Sequence, residues 1–329
     1  MIDLVAVPQP PVDGTGTWRI RFAAMGGSGE VVLAAPGAAQ ARRWADAAIA
    51  EVLRIERKYS RYRADSVVSR INAAAGRADV TCDAETLALL DYAHTLHGAS
   101  GGLFDVTSGV LRRAWRFGPD SLGRAPQPPD AAALEPLLAR IGWPRVQRDG
   151  ARVYLPEEGM ELDFGGFGKE YAADRAAAVL AAQGVTHGHV NLGGDLAVVG
   201  PRADGRPWSI GIRDPRRADA LMASVPVSRG GLATSGDYER WFEHDGQRYC
   251  HVLDPVRGVP VRHWRSVSVL APSALAAGTV STIAMLLQHG GLRFLDECGH
   301  DYLAVDAEGR LHQRSAGAPQ AGPPGMCAH

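Results

Sequence analysis

The sequence predicts an α+β fold of mixed, mainly antiparallel sheets with helices packed on them. Three observations predict it. Strand-like runs with a period of two crowd the second half of the chain, and helical periodicity dominates the first 140 residues after an opening hairpin. Helices and strands are therefore segregated rather than alternating, which argues against a doubly wound parallel sheet. Turn signals such as Asp245-Gly246 join neighbouring strands into hairpins, and no internal repeat of fixed period is present.

Taken in order, WRIRFAA (18–24) and GEVVLAA (29–35) read as two strands across MGGSG. A long amphipathic helix follows, with Trp44, Ala48, Val52 and Ile55 at helical spacing. Further helices are expected at about 65–73, 84–97, 107–116 and 130–141. The texture changes near Trp143. VQRDG-ARVYL reads as a hairpin, and MELDF (160–164) as a short strand running through GGFG into a helix that ends at Gly184. Strands are then expected at HGHVNLGG, DLAVVG, WSIGIRD, ASVPVSR, GLATSG, WFEHDGQRYCHVLDP and WRSVSVLA. The helix SALAAGTVSTIAMLLQHG and a closing hairpin, YLAVDAEGRLHQ, complete the set. Residues 1–16 and 315–329, rich in Pro, Gly and Ala, read as flexible ends. Between them, 17–314 form the body, helix-rich over about 36–142 and sheet-rich over about 143–314.

With 329 residues, the chain is long enough for two domains or one large α/β-type body. Apolar residues make up 46% and charged residues 22%, the proportions of a globular rather than a disordered protein. The formal net charge of −1 gives no global attraction for nucleic acid or an anionic membrane. Of the 35 basic side chains only Lys58 and Lys169 are lysines. Genome composition accounts for the bias, yet a surviving lysine marks a place where a compact point charge serves and a planar guanidinium does not. Cys82, Cys250, Cys298 and Cys327 are widely spaced, without a CxxC pair, so neither a zinc site nor a disulfide framework is expected. The N-terminal segment lacks a basic and apolar leader pattern, and no apolar run is long enough to span a bilayer; a reduced, cytoplasmic setting is expected.

Five segments could carry chemistry. In DFGGFGKEYAADR (Asp163 to Arg175) a Gly-rich turn opens a helix and Lys169 adds a charge, which suits an anion. It matches neither the P-loop, since Glu170 follows the lysine, nor GxGxxG, and tight strand–helix packing would also explain its glycines. LGGD (Leu192 to Asp195) reads first as a tight corner. In GLFDVTSG (Gly102 to Gly109), Asp105 and Thr107 precede a helix and suit an N-cap. In YCHVLDP (Tyr249 to Pro255), His251 falls where a strand meets the Asp254-Pro255 turn; it is either a structural histidine or a base for a hydroxyl proton. KYSRYRADSVVSRIN (Lys58 to Asn72) combines aromatic rings and arginines beside a helix start and suits either stacking and phosphate pairing or a solvated cap.

The order of six motifs is more specific than any one of them. YSRYRADSVVSRIN, FDVTSGVL, LDFGGFGKEYAADR, VNLGGDLAVVGPRADGRPWSIGIRDP, LATSGDYERWFEHDGQRYCHVLDP and SVLAPSALAAGTVSTIAML together resemble the FAD:protein FMN transferase family, the ApbE-type flavinylating enzymes, from about Met25 to Leu287. The resemblance implies an ApbE-like, T-fold-like α+β architecture that binds FAD and Mg²⁺. It implies transfer of the FMN half of FAD to a threonine hydroxyl of an acceptor protein, with release of AMP. Carried over by position, Met25, Tyr62, Leu103, Phe104, Asp105, Asp163, Lys169 and Val252 fall where the family contacts FAD, with Tyr62 suited to stacking and Lys169 to a phosphate or carboxylate partner. His251 falls at the base that deprotonates the acceptor threonine.

For the metal, the resemblance implies a main-chain carbonyl near Gly166, the hydroxyl of Thr282 and an Asp, but the Asp position holds Gly278. Magnesium favours hard oxygen ligands that usually include a carboxylate, so this departure matters. Three outcomes follow from it: water or Ser281 fills the gap, another carboxylate reaches in, or metal and transferase activity are lost together. The last would leave an FAD-binding carrier or assembly protein. FAD hydrolysis to FMN and AMP is a variant in which water replaces the threonine.

Overall fold

The computed structural model describes residues 3–6, 16–118, 123 and 125–315. Much of residues 1–16 and nearly all of 315–329, expected as flexible ends, lies outside the described residues. Within the first of these segments, Asp3–Ala6 form strand β1, paired antiparallel with β2.

Strands β2 (Gly16–Ala24) and β3 (Gly27–Ala35) form the expected hairpin with a two-residue turn in which Met25 and Gly26 both have positive φ, 56° and 74°. That pair of angles matches the twist of the flanking strands. Helix α1 (Ala38–Tyr59) buries Ala41, Ala45, Ala48, Ile49, Val52 and Ile55 on one face, whereas Trp44 is only partly buried. Helix α2 (Val67–Ala74) is capped by the Ser66 hydroxyl, and α3 (Ala84–Ala99), which follows the short strand β4 (Val80–Thr81), is capped by Asp83. The helix expected at 107–116 is instead a short 3₁₀ segment, Ser108–Arg113. Helix α4 (Ala131–Leu138) and the hairpin β5 (Gln147–Asp149) and β6 (Arg152–Tyr154) follow.

MELDF is not a strand. Its Leu162 is paired by a side chain: Asn72 donates Nδ2 to the Leu162 carbonyl at 2.9 Å and accepts the Leu162 N–H at 2.7 Å. The amide of Asn72 thus does for one residue what a neighbouring strand would do. The chain then enters α5 (Gly168–Ala182). Seven strands follow: β7 (Gly188–Leu192), β8 (Asp195–Gly200), β9 (Trp208–Arg213), β10 (Leu221–Val227), β11 (Gly230–Gly236), β12 (Trp241–His244) and β13 (Gln247–Cys250). Strand β14 (Trp264–Ala271), helix α6 (Ala274–Leu287), a helix that the sequence reading does not anticipate, α7 (Gly291–Cys298), and the hairpin β15 (Asp301–Asp306) and β16 (Leu311–Arg314) end the fold.

The chain divides into two compact units, each drawn from three stretches of sequence. The first comprises 1–60, 167–234 and 268–279, and the second 61–166, 235–267 and 280–329, so the change of texture near Trp143 lies inside the second. In the first unit the strands run in the order β1-β2-β3-β7-β8-β11, and α1 and α5 pack on each other and on this sheet. Both helices bury alanines, Ala41, Ala45 and Ala48 on α1 and Ala172, Ala173 and Ala176 on α5, small side chains that permit close packing. The second unit centres on Val110, Leu111, Trp115, Leu134, Leu137 and Phe242, with Phe117, Tyr249 and Leu253 packed against them.

His189 on β7 is buried in the first unit with its ring edge-on to Trp208. Burial, with a smaller contribution from Arg19, pushes its pKa down to about 4. A histidine held neutral in the folded state contributes stability above its unfolded pKa of about 6.5 that is lost as pH falls towards 4. His189→Phe is expected to remove that part of the acid slope, up to about 1.4 kcal/mol per pH unit in urea denaturation between pH 6.5 and 4; an unchanged slope would contradict it.

Candidate functional site

In the first unit the candidate chemistry gathers at the start of α5. Phe167 precedes the helix without a side-chain cap, and Lys169 and Glu170 lie in its first turn. The Lys169 ammonium donates to Asp195 Oδ2 at 2.5 Å. Asp195, on the far side of the Gly193-Gly194 corner, is the first residue of β8 and is buried, while Lys169 keeps about a third of its side chain in solvent. Both corner glycines have positive φ, 65° and 105°, which a side-chain-bearing residue rarely adopts. The corner reading of LGGD therefore holds, and the corner also presents Asp195 to the lysine.

Glu170 is almost wholly buried, and its Oε2 has no hydrogen-bond partner. Burial, reinforced by the negative charge of Asp195 and opposed by Lys169, pushes its carboxyl up to about 8. Asp195 is raised in the same way by burial and held back by Lys169. Two acids and one ammonium thus share a low-dielectric region, a pattern concentrated at functional sites. Glu170 lies against Gly278 of α6: a Cβ on Gly278 would stand 2.5 Å from Glu170 Cγ and 2.6 Å from its Oε1. One turn further along α5, Asp174 accepts the Ala274 and Leu275 N–H groups at 2.9 and 2.8 Å and so fixes the start of α6. Asp174→Ala is expected to cost about 1–2 kcal/mol in urea denaturation, the range of a lost helix cap; a loss below about 0.5 kcal/mol would contradict that role. Met25, in the β2–β3 turn, donates its N–H to Glu56 Oε1 at 2.9 Å, and its Cε lies 3.8 Å from where a Cβ on Gly168 would be. Met25 therefore lies beside the start of α5, near Lys169.

In the second unit Asp163 pairs with Arg61, whose guanidinium also lies 5.1 Å from the centre of the Tyr62 ring and donates to its hydroxyl. Tyr62 is three-quarters exposed, a ring open to stacking. Asp163 Oδ1 also accepts the Gly165 N–H, which shapes the Gly-rich turn. Gly109 permits this approach, because a Cβ there would stand 2.5 Å from that of Asp163. Gly166 packs over the buried ring of Phe104 in the same manner, at 2.9 Å. Leu103 is half-buried beside it. Asp105 is buried, with both carboxylate oxygens engaged: it accepts the Thr107 N–H and hydroxyl at 2.7 and 2.6 Å and the Trp143 N–H at 2.9 Å. Its observed work is to tie the FDVTSG turn to the Trp143 loop.

His251 follows β13, donates its N–H to the Arg240 carbonyl, and meets the Phe117 ring edge-on. The turn beyond it is built by Asp254, which accepts the N–H groups of Val256 and Arg257 and the Arg257 Nε. Val252 accepts the Val261 N–H across that turn. Ser235 of the TSGDY segment shares hydrogen bonds of 2.8 Å with the hydroxyls of both Ser281 and Thr282. Thr282 thus belongs to a group of three hydroxyls.

The ApbE family model matches residues 17–304. This chain belongs to the ApbE family. It is 36% identical over 246 residues to an FAD:protein FMN transferase of Klebsiella pneumoniae, covering 70% of this chain and 67% of the relative. The chain spans about two thirds of the length of such curated relatives. Among solved structures it is similar to an ApbE protein from Thermotoga maritima, with TM-score 0.81 and 32% identity over 90% of this chain and 96% of the other. It is also similar to the Pseudomonas stutzeri flavinyl transferase ApbE in its apo form, with TM-score 0.77 and 29% identity over 91% and 95%. The α+β, ApbE-like fold expected from the sequence is the fold observed.

Sequence reasoning passed over three polar groups in this ApbE-family chain. Glu170 figured only as the residue that spoils a P-loop match, Asp195 only as the end of a corner, and Ser235 only as part of the LATSGDYERWFEHDGQRYCHVLDP motif. A signal was present for the first two: each is an acid beside a Gly-rich turn, and one of only two lysines lies next to Glu170. Among the described residues no group of three or more His, Cys, Asp or Glu gathers as a metal site.

Proposed function

We propose that this chain is an FAD:protein FMN transferase that moves the FMN half of FAD onto a threonine hydroxyl of an acceptor protein and releases AMP. The observation that carries the reading is the Lys169–Asp195 pair at the opening of α5, a partly exposed lysine fixed by a buried carboxylate beside a Gly-rich turn, in a chain of the ApbE family. Lys169 neutralises phosphate charge there as a point charge, and the start of α5 adds its dipole. Met25, Tyr62, Leu103, Phe104, Asp105, Asp163, Lys169 and Val252 are the proposed FAD contacts. His251 is the proposed base: it takes the threonine proton as the oxygen attacks the FMN-side phosphorus, and the bond from that phosphorus to the AMP-side oxygen breaks.

Magnesium fits the donors present, because the hydroxyls of Ser235, Ser281 and Thr282 are hard oxygen ligands. Thr282, with the main-chain carbonyl near Gly166, is the proposed holder, and the ion would offset charge on the pyrophosphate. A cytoplasmic setting belongs to the same reading, on the wide spacing of the four cysteines in the sequence. No helix among the described residues is long and apolar enough to cross a membrane.

Gly278 favours a second reading, an FAD carrier or assembly protein without transferase chemistry. Equilibrium dialysis with FAD, followed by assay of AMP release and of covalent flavin on co-expressed acceptor domains in Mg²⁺, separates the two. FAD binding with AMP release and a fluorescent acceptor band supports transfer; FAD binding without either supports the carrier.

A further inference from the structure

We infer that Glu170 supplies the carboxylate ligand of the divalent cation, reaching from α5 into the space that the missing side chain of Gly278 leaves open on α6. The inference rests on the transferase reading for the presence of a metal, and on three observations for the residue.

The first is occupancy of space. A Cβ on Gly278 would meet Glu170 Cγ, Oε1 and Cδ at 2.5, 2.6 and 2.8 Å, all closer than real Cβ contacts. The Glu170 carboxylate therefore lies where a side chain at position 278 would begin, and the two positions cannot both carry one without rearrangement. A carboxylate lost from α6 is matched by a carboxylate delivered to the same place from α5. The second is an orphaned oxygen. Glu170 Oε2 is buried without a hydrogen-bond partner, an arrangement that native interiors seldom keep and that a bound cation would resolve. The third is the sequence of α6. Thr282, the proposed hydroxyl ligand, follows Gly278 by four residues and shares its helix face, so the space filled by Glu170 adjoins the face that carries Thr282.

Lys169 does not compete for this role, since its ammonium is held on Asp195. Asp195 in turn has its charge answered by that lysine. Glu170 is thus the acid at this place that keeps a buried oxygen without a partner, and a hard oxygen donor suits Mg²⁺ or Mn²⁺.

The test is Mn²⁺ titration of FAD-loaded protein followed by electron paramagnetic resonance, on wild type, Glu170→Gln, Gly278→Asp and the exchange variant Glu170→Gly/Gly278→Asp. Glu170→Gln conserves volume and removes the charge. It is expected to weaken Mn²⁺ binding at least roughly tenfold, with FAD affinity within about threefold and metal-free Tm at or above wild type. Gly278→Asp alone is expected to lower Tm through its clash with Glu170, and the exchange variant to bind Mn²⁺ at least about tenfold more tightly than Glu170→Gln. Wild-type Mn²⁺ affinity in Glu170→Gln overturns the assignment, as does a loss that appears only together with a lowered metal-free Tm. Should the exchange variant fail to fold, Glu170→Gln decides alone. A wild-type protein that binds Mn²⁺ through Glu170 but transfers no FMN would contradict the transferase reading and leave this assignment standing; transfer by wild type with an indifferent Glu170→Gln would do the reverse.

Discussion

Lys169→Met is expected to lower stability by about 2–3 kcal/mol and to weaken FAD binding at least roughly tenfold. The substitution keeps the aliphatic stem and removes the ammonium from Asp195, which is then a buried carboxylate without its counter-charge, beside a second buried acid, Glu170. Breaking a fully buried ion pair costs about 3–5 kcal/mol, and the partial exposure of Lys169 sets the expectation below that range. Adding Asp195→Asn removes the unpaired charge and is expected to restore most of the stability without restoring FAD affinity. Urea denaturation and FAD titration measured side by side check both halves. Recovery of FAD binding in the double variant would show that the lysine serves the fold alone. Lys169→Arg retains the charge but replaces a point donor by a planar fork in a space bounded by the Gly193 corner, where a Cβ would stand 3.9 Å from the ammonium. It is expected to impair FAD binding or turnover, and wild-type behaviour would make the lysine incidental.

His251→Ala is expected to lower the rate of FMN transfer by about 10²–10⁴ while FAD affinity changes by less than about threefold. The main chain around His251 is held independently of its ring, by the N–H bond to Arg240 and by the Asp254 turn. Truncation of the ring should therefore leave the turn in place and remove only the proposed proton acceptor. Single-turnover transfer rates compared with FAD dissociation constants provide the check. Equal loss in both would assign His251 to structure, since its edge-on contact with Phe117 also ties it to the apolar cluster of the second unit.

How far these residues could be read from sequence depended on whether their partners were local. The Met25-Gly26 turn, the Asp254 turn and the caps at Ser66 and Asp83 are set by neighbours within a few residues, and all are legible. MELDF failed as a strand because its partner is a side chain, Asn72, ninety residues earlier in sequence, and alternation of apolar residues says nothing about who supplies the hydrogen bonds. The segment at 107–116 has helical composition, but Asp105 and Thr107 draw its start into a turn tied to Trp143, and a 3₁₀ segment results. The Lys169 position stood out, but its partner did not. Asp195 lies 26 residues away across a helix and a strand, and only the tertiary fold brings the two together. Glu170 was the hardest to read, because its significance depends on a side chain that position 278 does not have.

As an FAD:protein FMN transferase, this chain is expected to join FMN to a threonine of another protein at the expense of the FAD pyrophosphate. Intact-mass spectrometry of a purified acceptor after incubation with the protein, FAD and Mg²⁺ tests it most directly, with AMP followed in the same sample. The acceptor is expected to gain one FMN unit with loss of water, the gain to map to a threonine, and one AMP to appear per modified chain. An acceptor of unchanged mass, beside protein that has FAD bound and Mg²⁺ present, would contradict it.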